Sequence, residues 1–321
     1  MTFTSGATEA DNAALFGIVD AAMARAEQEG DHECVPQIVV SSIEHDAVLK
    51  AAETLGHWGA QVTYVEPDSS GHITPDALEE VLTDRVLLVS IMAVNNEVGS
   101  AMDIPTLAAV VHKAGALFHV DATQAFGKIP VSVKEWGVDA LSISSHKIGG
   151  PKGMGALYVK ARTPFTAQIV GGGQESGRRS GTQNVMAAVG FSARAALANL
   201  DESAQRLRAL RDECYARLLE NPKVKAAVSV EPGTTAFAPH VVNVLVRGME
   251  SETLILQLDR RGFCVSGGSA CSSHSLNPSH VLKAIGVSRD DALGSLRVSL
   301  GNTTTAEELD AFIEAFNDVV G

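Results

Sequence analysis

The chain has 321 residues, enough for one large domain or two ordinary ones. Hydrophobic residues make up 45% of it and charged residues 20%, which is typical of a globular protein and excludes a disordered chain. The formal net charge of −13 argues against general nucleic-acid binding, which favours a basic surface.

Cysteine usage and apolar patterning predict a cytoplasmic protein. The four cysteines, Cys34, Cys214, Cys264 and Cys271, show no CxxC spacing, which favours reduced thiols over a disulfide framework. The sequence has no apolar run of the length that a membrane span requires, and residues 1–12 lack the features of a signal peptide. We therefore expect no membrane partner, no nucleic-acid partner and no metal.

Segments typical of strands alternate with helical patterns in the first half of the chain. In chain order they are a strand end leading into a helix at 2–8, strand 37–41, helix 46–56, strand 62–65, helix 74–82, strand 86–93, helix 104–114, and strands 116–120, 140–144 and 155–159. Such alternation predicts an α/β fold with a mostly parallel sheet covered on both faces. Ligands of open sheets of this kind bind at the carboxyl ends of the strands.

The second half predicts a smaller α+β domain. A long helical pattern at 185–219 is followed by strands at 241–246 and 296–300 and by helices at 252–261 and 306–319. We predict a large domain at 1–202 and a small domain at 203–321. The charge run from Asp201 to Arg211 predicts a solvated helix face.

Three strand ends carry residues suited to binding an anion or a cationic ring. The small residues of Ser5-Gly6-Ala7-Thr8-Glu9 open a helix whose N–H groups attract anions, although a simply capped helix is the alternative. Asp121 follows another strand and could cap a helix, bind a metal or pair with a cofactor cation. A third strand leads into Ser144, His146 and Lys147, where Lys147 is a Schiff-base candidate and its neighbours could hold a phosphate.

Cys271 differs from the other three cysteines in its surroundings. It lies in a run of Gly, Ser and Ala at 265–274, as an exposed nucleophile requires. Cys34, Cys214 and Cys264 fit small buried hydrophobic residues instead. A lysine, an aspartate, a histidine and an anion site at successive strand ends together suggest pyridoxal phosphate.

With these residues in place, the sequence resembles the cysteine desulfurases of the iron–sulfur-cluster type, which are class V, fold-type I pyridoxal-phosphate enzymes. The motifs that carry the resemblance are Thr4-Ser5-Gly6-Ala7-Thr8-Glu9, Glu44-His45, Asn95-Asn96-Glu97-Val98-Gly99, Asp121-Ala122-Thr123-Gln124, Ser145-His146-Lys147, Arg179-Ser180-Gly181-Thr182, Ser269-Ala270-Cys271-Ser272-Ser273 and Leu296-Arg297-Val298-Ser299-Leu300-Gly301. They run over nearly the whole chain. The resemblance implies a fold-type I transferase with a mostly parallel large domain and a small α+β C-terminal domain.

The resemblance also implies a role for each matching residue. Lys147 would attach the cofactor, Cys271 would attack the substrate sulfur, and His45 would stack on the cofactor ring and shuttle protons. The remaining implied roles are the pyridine-nitrogen partner Asp121, the ring-hydroxyl partner Gln124, the phosphate ligands Ala7, Thr8, Ser144 and His146, the residue Thr182 that reaches the partner subunit's phosphate, and the substrate-carboxylate ligands Asn96 and Arg297.

The implied reaction converts L-cysteine to L-alanine and leaves a persulfide on Cys271 for an iron–sulfur scaffold or another acceptor. The implied assembly is a homodimer with shared sites. The family normally begins several dozen residues before Thr4, so the resemblance implies that the usual N-terminal segment is missing. Selenocysteine lyase or another class V activity, and an inactive relative acting as a binding subunit, are the alternatives.

Overall fold

The computed structural model describes residues 1–197, 200–268 and 278–321, with the side chains of 200 and 201 excepted. The strands are β1 (Thr2–Thr4), β2 (Gln37–Ser41), β3 (Gln61–Val65), β4 (Val86–Ser90), β5 (Leu117–Asp121), β6 (Ala140–Ser144), β7 (Gly155–Val159), β8 (Val224–Ala226), β9 (Val241–Val246) and β10 (Ser295–Ser299). The α-helices are α1 (Ala7–Glu29), α2 (Asp46–His57), α3 (Pro75–Val81), α4 (Ile104–Lys113), α5 (Val133–Trp136), α6 (Val185–Ala196), α7 (Leu200–Leu218), α8 (Ser251–Asp259), α9 (His280–Ala284), α10 (Arg289–Ala292) and α11 (Ala306–Val320).

The first compact unit, Met1–Glu66 with Ile73–Ala93 and Met102–Ala198, contains the larger sheet. Its strand order is β1-β7-β6-β5-β4-β2-β3. The pairs from β6 through β5, β4 and β2 to β3 are parallel, and β7 runs antiparallel to both β6 and β1. The prediction of an α/β fold with a mostly parallel sheet is confirmed.

Helices α1 and α2 cover the sheet through small and branched apolar residues. α1 packs on β4, β5, β6 and β7, and α2 packs on β2, β3 and α1. Their shared core includes Ala14, Leu15, Ile18, Val48 and Leu55, each at most 2% exposed. The small residues on α1 let it lie close to the strands, which brings its N-terminus to the strand ends.

Local capping explains where the helices begin. Thr74 precedes α3 and its side chain accepts the Ala77 N–H, while Pro75 occupies the first helical turn, both as predicted. The predicted end of α2 at Gly56 is early by one residue, since the helix runs to His57. Strand β4 ends at Ser90 rather than at the predicted Ala93.

The second compact unit comprises Pro67–His72, Val94–Ala101 and Asn199–Gly321. Its antiparallel sheet has the order β10-β9-β8. Helix α11 begins at a reciprocal cap between Thr305 and Glu308, and it buries Phe312 and Phe316 against the apolar residues of α7, α8 and β9. This unit is the α+β arrangement that the sequence predicts.

The structure corrects the prediction that the charge run from Asp201 to Arg211 is a solvated helix face, and it divides the helical pattern predicted at 185–219. Arg211 is not on a solvated face: it is 0% exposed, and its Nη1 donates to the carbonyl oxygens of Phe237 and Ala238 at 2.9 and 3.2 Å. The long helical pattern at 185–219 corresponds to α6 and α7, between which residues 198 and 199 lie outside the described residues.

The main boundary between the two compact units lies between residues 198 and 199. The predicted domains, 1–202 and 203–321, divide a few residues later. The short segments Pro67–His72 and Val94–Ala101 nevertheless belong to the second unit. Among the described residues, no helix has the length and hydropathy needed to cross a membrane.

Candidate active site

The ends of β1, β5 and β6 meet at one edge of the large sheet. Asp121, the last residue of β5, lies opposite Ser142 of β6. Ser144, the last residue of β6, lies opposite Gly155 of β7, and Thr4 of β1 pairs with Gly155 from the other side. The structure therefore brings together three of the segments that the sequence singled out.

The N-terminus of α1 offers backbone donors at this edge. Gly6 caps the helix in an extended conformation with a φ of 162°, and no side chain caps the first turn. Its backbone lies against β7, since a Cβ on Gly155 would come within 2.6 Å of the Gly6 carbonyl carbon. The amides of Ala7 and Thr8 thus belong to a helix start that is suited to an anion.

Ser144 and His146 lie beside each other after β6. The Ser144 hydroxyl and His146 Nδ1 are 2.7 Å apart, and Ser144 is buried while His146 is exposed. Burial lowers the pKa of His146, and the nearby Lys147 and Lys152 lower it further. Lys147 follows on the 3-10 turn His146–Ile148, where its side chain is exposed. A hydroxyl and an imidazole are donors that suit a phosphate.

Asp121 is buried at the end of β5, where its Oδ1 accepts the Thr123 N–H at 2.8 Å. The Thr123 hydroxyl is buried without a hydrogen-bond partner among the described residues. Gln124 follows on the same turn and is half-buried. This strand end therefore presents a carboxylate, an amide and an unsatisfied hydroxyl.

His45 begins α2 after the end of β2, at the same edge of the sheet as the other parallel strand ends. Its Nδ1 accepts the Ala47 N–H at 3.1 Å and so caps the helix. Because Nδ1 is an acceptor, the neutral ring carries its proton on Nε2. The capping bond fixes the orientation of the half-buried ring.

These residues fit pyridoxal phosphate. An uncapped helix start and the Ser144–His146 pair suit its phosphate, and a buried carboxylate at Asp121 suits a protonated pyridine nitrogen. The orphaned Thr123 hydroxyl is a feature that a bound polar ligand would explain.

Asn96 and Arg297 meet within the second unit. Arg297 Nη1 donates to the Asn96 carbonyl oxygen at 2.9 Å, and Arg297 Nε donates to the Ser299 hydroxyl at 3.1 Å. The Arg297 backbone also pairs with Ser266. Two predicted carboxylate ligands far apart in sequence are thus held together.

Thr182 lies exposed in the first unit, and Cys271 lies outside the described residues. Of the other cysteines, Cys214 is buried, and burial raises its pKa to about 12. Cys264 is exposed rather than buried as expected, because it lies in the irregular stretch after α8.

The sequence pattern of the family "Aminotransferase class-V" matches residues 1–312. The chain belongs to this family. Among curated class-V proteins, cysteine desulfurase IscS of Edwardsiella ictaluri (strain 93-146) is 43% identical over 325 residues, which cover 100% of this chain and 77% of that protein. Cysteine desulfurase IscS of Klebsiella pneumoniae subsp. pneumoniae is 42% identical over the same length.

Solved class-V structures superpose on the chain. One titled "NIFS-LIKE PROTEIN" has a TM-score of 0.87 at 35% identity, covering 99% of this chain and 81% of that one. A NifS-like protein from Rickettsia africae has a TM-score of 0.84 at 31% identity, with the same coverage. The fold is that of fold-type I pyridoxal-phosphate enzymes, as predicted.

Sequence reasoning missed Asp11 of this class-V chain. Asp11 lies on α1 among Ala10, Ala14 and Leu15 and is 1% exposed. A carboxyl group inside an apolar helical stripe is the signal that could have identified it, because buried acids are rare unless they are paired or neutral.

Proposed function

We propose that the chain is a pyridoxal-phosphate-dependent cysteine desulfurase that converts L-cysteine to L-alanine and transfers the sulfur through Cys271. The observation that carries this proposal is 43% identity to a cysteine desulfurase over the whole chain, in a fold whose strand ends fit the cofactor. The residues at 269–273 supply a thiol that a transaminase does not need.

The cofactor would be held by the edge of the large sheet. Its phosphate would bind the amide of Ala7 with Thr8, Ser144 and His146, its pyridine nitrogen would bind Asp121, its ring hydroxyl would bind Gln124, and its ring would lie on His45. When bound, pyridoxal phosphate supplies a carbonyl group for attachment to amines and a conjugated ring that accepts electrons from the substrate Cα.

Lys147 and His45 would move the protons of the reaction. Lys147 would attach the cofactor through its amine, and the same amine would remove the proton from the substrate Cα. The backbone bond to His45 Nδ1 leaves Nε2 as the nitrogen that can donate a proton. Because His45 caps the start of α2, its ring keeps its place between turnovers.

The sulfur step conserves atoms and electrons. The Cys271 thiolate attacks the substrate sulfur, so that an S–S bond forms while the substrate C–S bond breaks. The electron pair of the broken bond stays with the substrate carbon, which takes up a proton and leaves as alanine. Cys271 keeps the transferred sulfur as a persulfide for an acceptor, for which we propose an iron–sulfur scaffold protein.

Arg297 would bind the substrate carboxylate together with Asn96. The contact of Arg297 Nη1 with the Asn96 carbonyl and of Arg297 Nε with Ser299 fixes the plane of the guanidinium group. A fixed plane favours bidentate recognition of a carboxylate. We further propose a cytoplasmic location, where thiols stay reduced.

A homodimer would complete the site through Thr182. Large apolar side chains on the first turns of α6, just after Thr182, are exposed, with Met186 at 86% and with Val185 and Val189 exposed on the same helix. Contiguous exposed apolar residues favour a protein interface. We propose that a second copy covers them and that Thr182 reaches the phosphate held by the partner.

The test is alanine formation from L-cysteine by the cofactor-loaded protein in the presence of a reductant. We expect Cys271→Ala to abolish turnover and to retain the visible absorbance of the bound cofactor. Cys264→Ala is the matched control, because Cys264 is an exposed cysteine that has no role in the proposal, and it should keep full activity. Equal activity in the two variants would reject the assigned nucleophile, and absent alanine from the unaltered chain would reject the function.

A further inference from the structure

A polar cluster lies on the face of the large sheet that α1 covers, next to the edge where β1, β5 and β6 end (the cofactor edge). Ser90 and His119 are paired across β4 and β5, and Asp121 and Ser142 are paired across β5 and β6. Since side chains alternate along a strand, His119 and Asp121 share one face, and their paired residues share it with them. Asp11 approaches this face from α1.

His119 is neutral in this cluster. Its Nδ1 lies 2.8 Å from the Ser90 hydroxyl and its Nε2 lies 2.9 Å from the Ser142 hydroxyl, so that both ring nitrogens are occupied by neutral groups. The ring is 0% exposed, and burial lowers its pKa to about 3. The ring therefore supplies no positive charge to its neighbours.

Asp11 lies near the neutral ring of His119 and the charged carboxylate of Asp121. Within the described parts of the chain, neither Asp11 oxygen has a hydrogen-bond partner, and its one ion-pair contact is His119 Nε2 at 3.7 Å from Oδ1. Burial raises the pKa of Asp11 well above its ordinary value, and the charge of Asp121 raises it further, whereas the Ser142 hydroxyl lowers it by less. An ionised Asp11 would be a buried charge without a cation.

Glu44 is the second acid near Asp121. It is 0% exposed, and its Oε1 accepts the Met92 N–H at 2.6 Å. Burial raises the pKa of Glu44 well above its ordinary value, and the charge of Asp121 adds to this effect. Asp121 differs from Asp11, since it is the last residue of β5 and its Oδ1 accepts the Thr123 N–H.

We propose that Asp11 is a positioning residue: a buried neutral carboxylic acid that, with Glu44, leaves the negative charge of the cluster on Asp121. The inference rests on the proposed function only where it makes Asp121 the partner of the pyridine nitrogen. Three like charges cannot share this space. The acid on α1 therefore keeps its proton.

Infrared spectroscopy of the cofactor-free protein tests the proposal independently of turnover. The C=O stretch of a protonated carboxyl group separates it from carboxylates. We expect the wild-type protein at neutral pH to show a band that Asp11→Asn loses. Asp20→Asn is the matched control on the same helix and should keep the band, because Asp20 lies outside the cluster and bonds to Gln168.

A second measurement tests the coupling between the two acids. In Asp121→Asn the repelling charge is gone, so the pH midpoint of the Asp11 band should fall by about one pH unit or more. If Asp11 had only a structural role, the pH midpoint of its band would be the same in the wild-type protein and in Asp121→Asn. If Asp11→Asn does not fold, aspartate labelled with ¹³C at its side-chain carboxyl identifies the band in the wild-type and Asp121→Asn proteins. An unchanged midpoint, or the absence of the band, would overturn the proposal, and neither result depends on desulfurase activity.

Discussion

Arg179 holds Glu9 in a two-point ion pair, with Nε to Oε1 at 2.8 Å and Nη2 to Oε2 at 3.2 Å. The same carboxylate accepts the Ser5 N–H at 2.8 Å. Burial raises the pKa of Glu9, but the bonds from Arg179 and Ser5 outweigh it and lower the pKa overall. The segment that carries Thr182 is thereby tied to the first turn of α1, where the phosphate would bind.

Loss of this ion pair should weaken cofactor binding. We expect Arg179→Ala to raise the dissociation constant of pyridoxal phosphate roughly three- to ten-fold, because the first turn of α1 loses an anchor. Titration of the cofactor-free protein, followed by visible absorbance, measures this. Arg25→Ala removes an exposed ion pair with Glu29 near the other end of the same helix and should leave the constant unchanged. Equal effects of the two substitutions would show that the Glu9 contact does not shape the site.

Gly155 should tolerate no side chain. A Cβ there would lie 2.6 Å from the Gly6 carbonyl carbon and 2.8 Å from the Ile143 oxygen, both backbone atoms. We expect Gly155→Ala to lower the free energy of unfolding by about 1–3 kcal/mol and to weaken cofactor binding. Gly56→Ala, inside α2 with its nearest neighbour atom at 3.4 Å, should raise stability by about 0.5–1 kcal/mol. Urea unfolding compares them, and a neutral Gly155→Ala would refute the close approach.

The pH dependence of stability should show opposite contributions from Asp11 and His119. Burial and the charge of Asp121 raise the pKa of folded Asp11 above 3.8, so the folded state holds an extra proton above that pH and stability falls as pH rises. Burial lowers the pKa of folded His119 from 6.5 to about 3, so the unfolded state holds the extra proton between those values and stability rises with pH.

Replacing Asp11 should therefore reveal the contribution of His119 to the pH dependence of the free energy of unfolding. Relative to the wild-type protein, Asp11→Asn should gain stability as pH rises above about 4.5, by up to about 1.4 kcal/mol per pH unit. Urea unfolding at several pH values gives the difference, with Asp20→Asn as the control. A difference that stays constant with pH would mean that Asp11 has the same protonation in the folded and unfolded states.

A charge placed in the exposed apolar patch should separate the proposed dimer. Met186→Lys places an ammonium group where a second copy would bury an apolar side chain, so we expect sedimentation to give the mass of one chain instead of two. Val35→Lys, at an exposed apolar position in the segment that precedes β2, should remain dimeric. A wild-type chain that sediments as a monomer would contradict the shared site.

The fold could be predicted where local pattern and tertiary environment agree. The apolar runs of β2, β6, β7 and β9 are bounded by polar or turn residues, and the structure gives these strands the predicted limits. The run after Val86 continues to Ala93, but only its first five residues form β4. Buried apolar residues after a strand have the same composition as the strand itself, so composition could not place that end.

Side chains whose environment comes from distant segments could not be placed by local pattern. Arg211 lies in a charged run, yet the carbonyls of Phe237 and Ala238 satisfy its guanidinium group inside the second unit. Asp11 acquires its neighbours from strands more than a hundred residues away. That Asp121, Ser144 and Thr4 lie at one edge of the sheet could be predicted, because each ends a strand and the strand ends meet there.

The most direct test of the central claim is a single turnover without an acceptor. Cofactor-loaded protein is mixed with L-cysteine, the alanine formed is counted per chain, and mass spectrometry locates the added sulfur. We predict one alanine per chain and one extra sulfur atom on the peptide that contains Cys271, with none on the peptide that contains Cys214, whose thiol burial keeps protonated. Alanine formed without sulfur on Cys271, or sulfur on that peptide without alanine, would contradict the account.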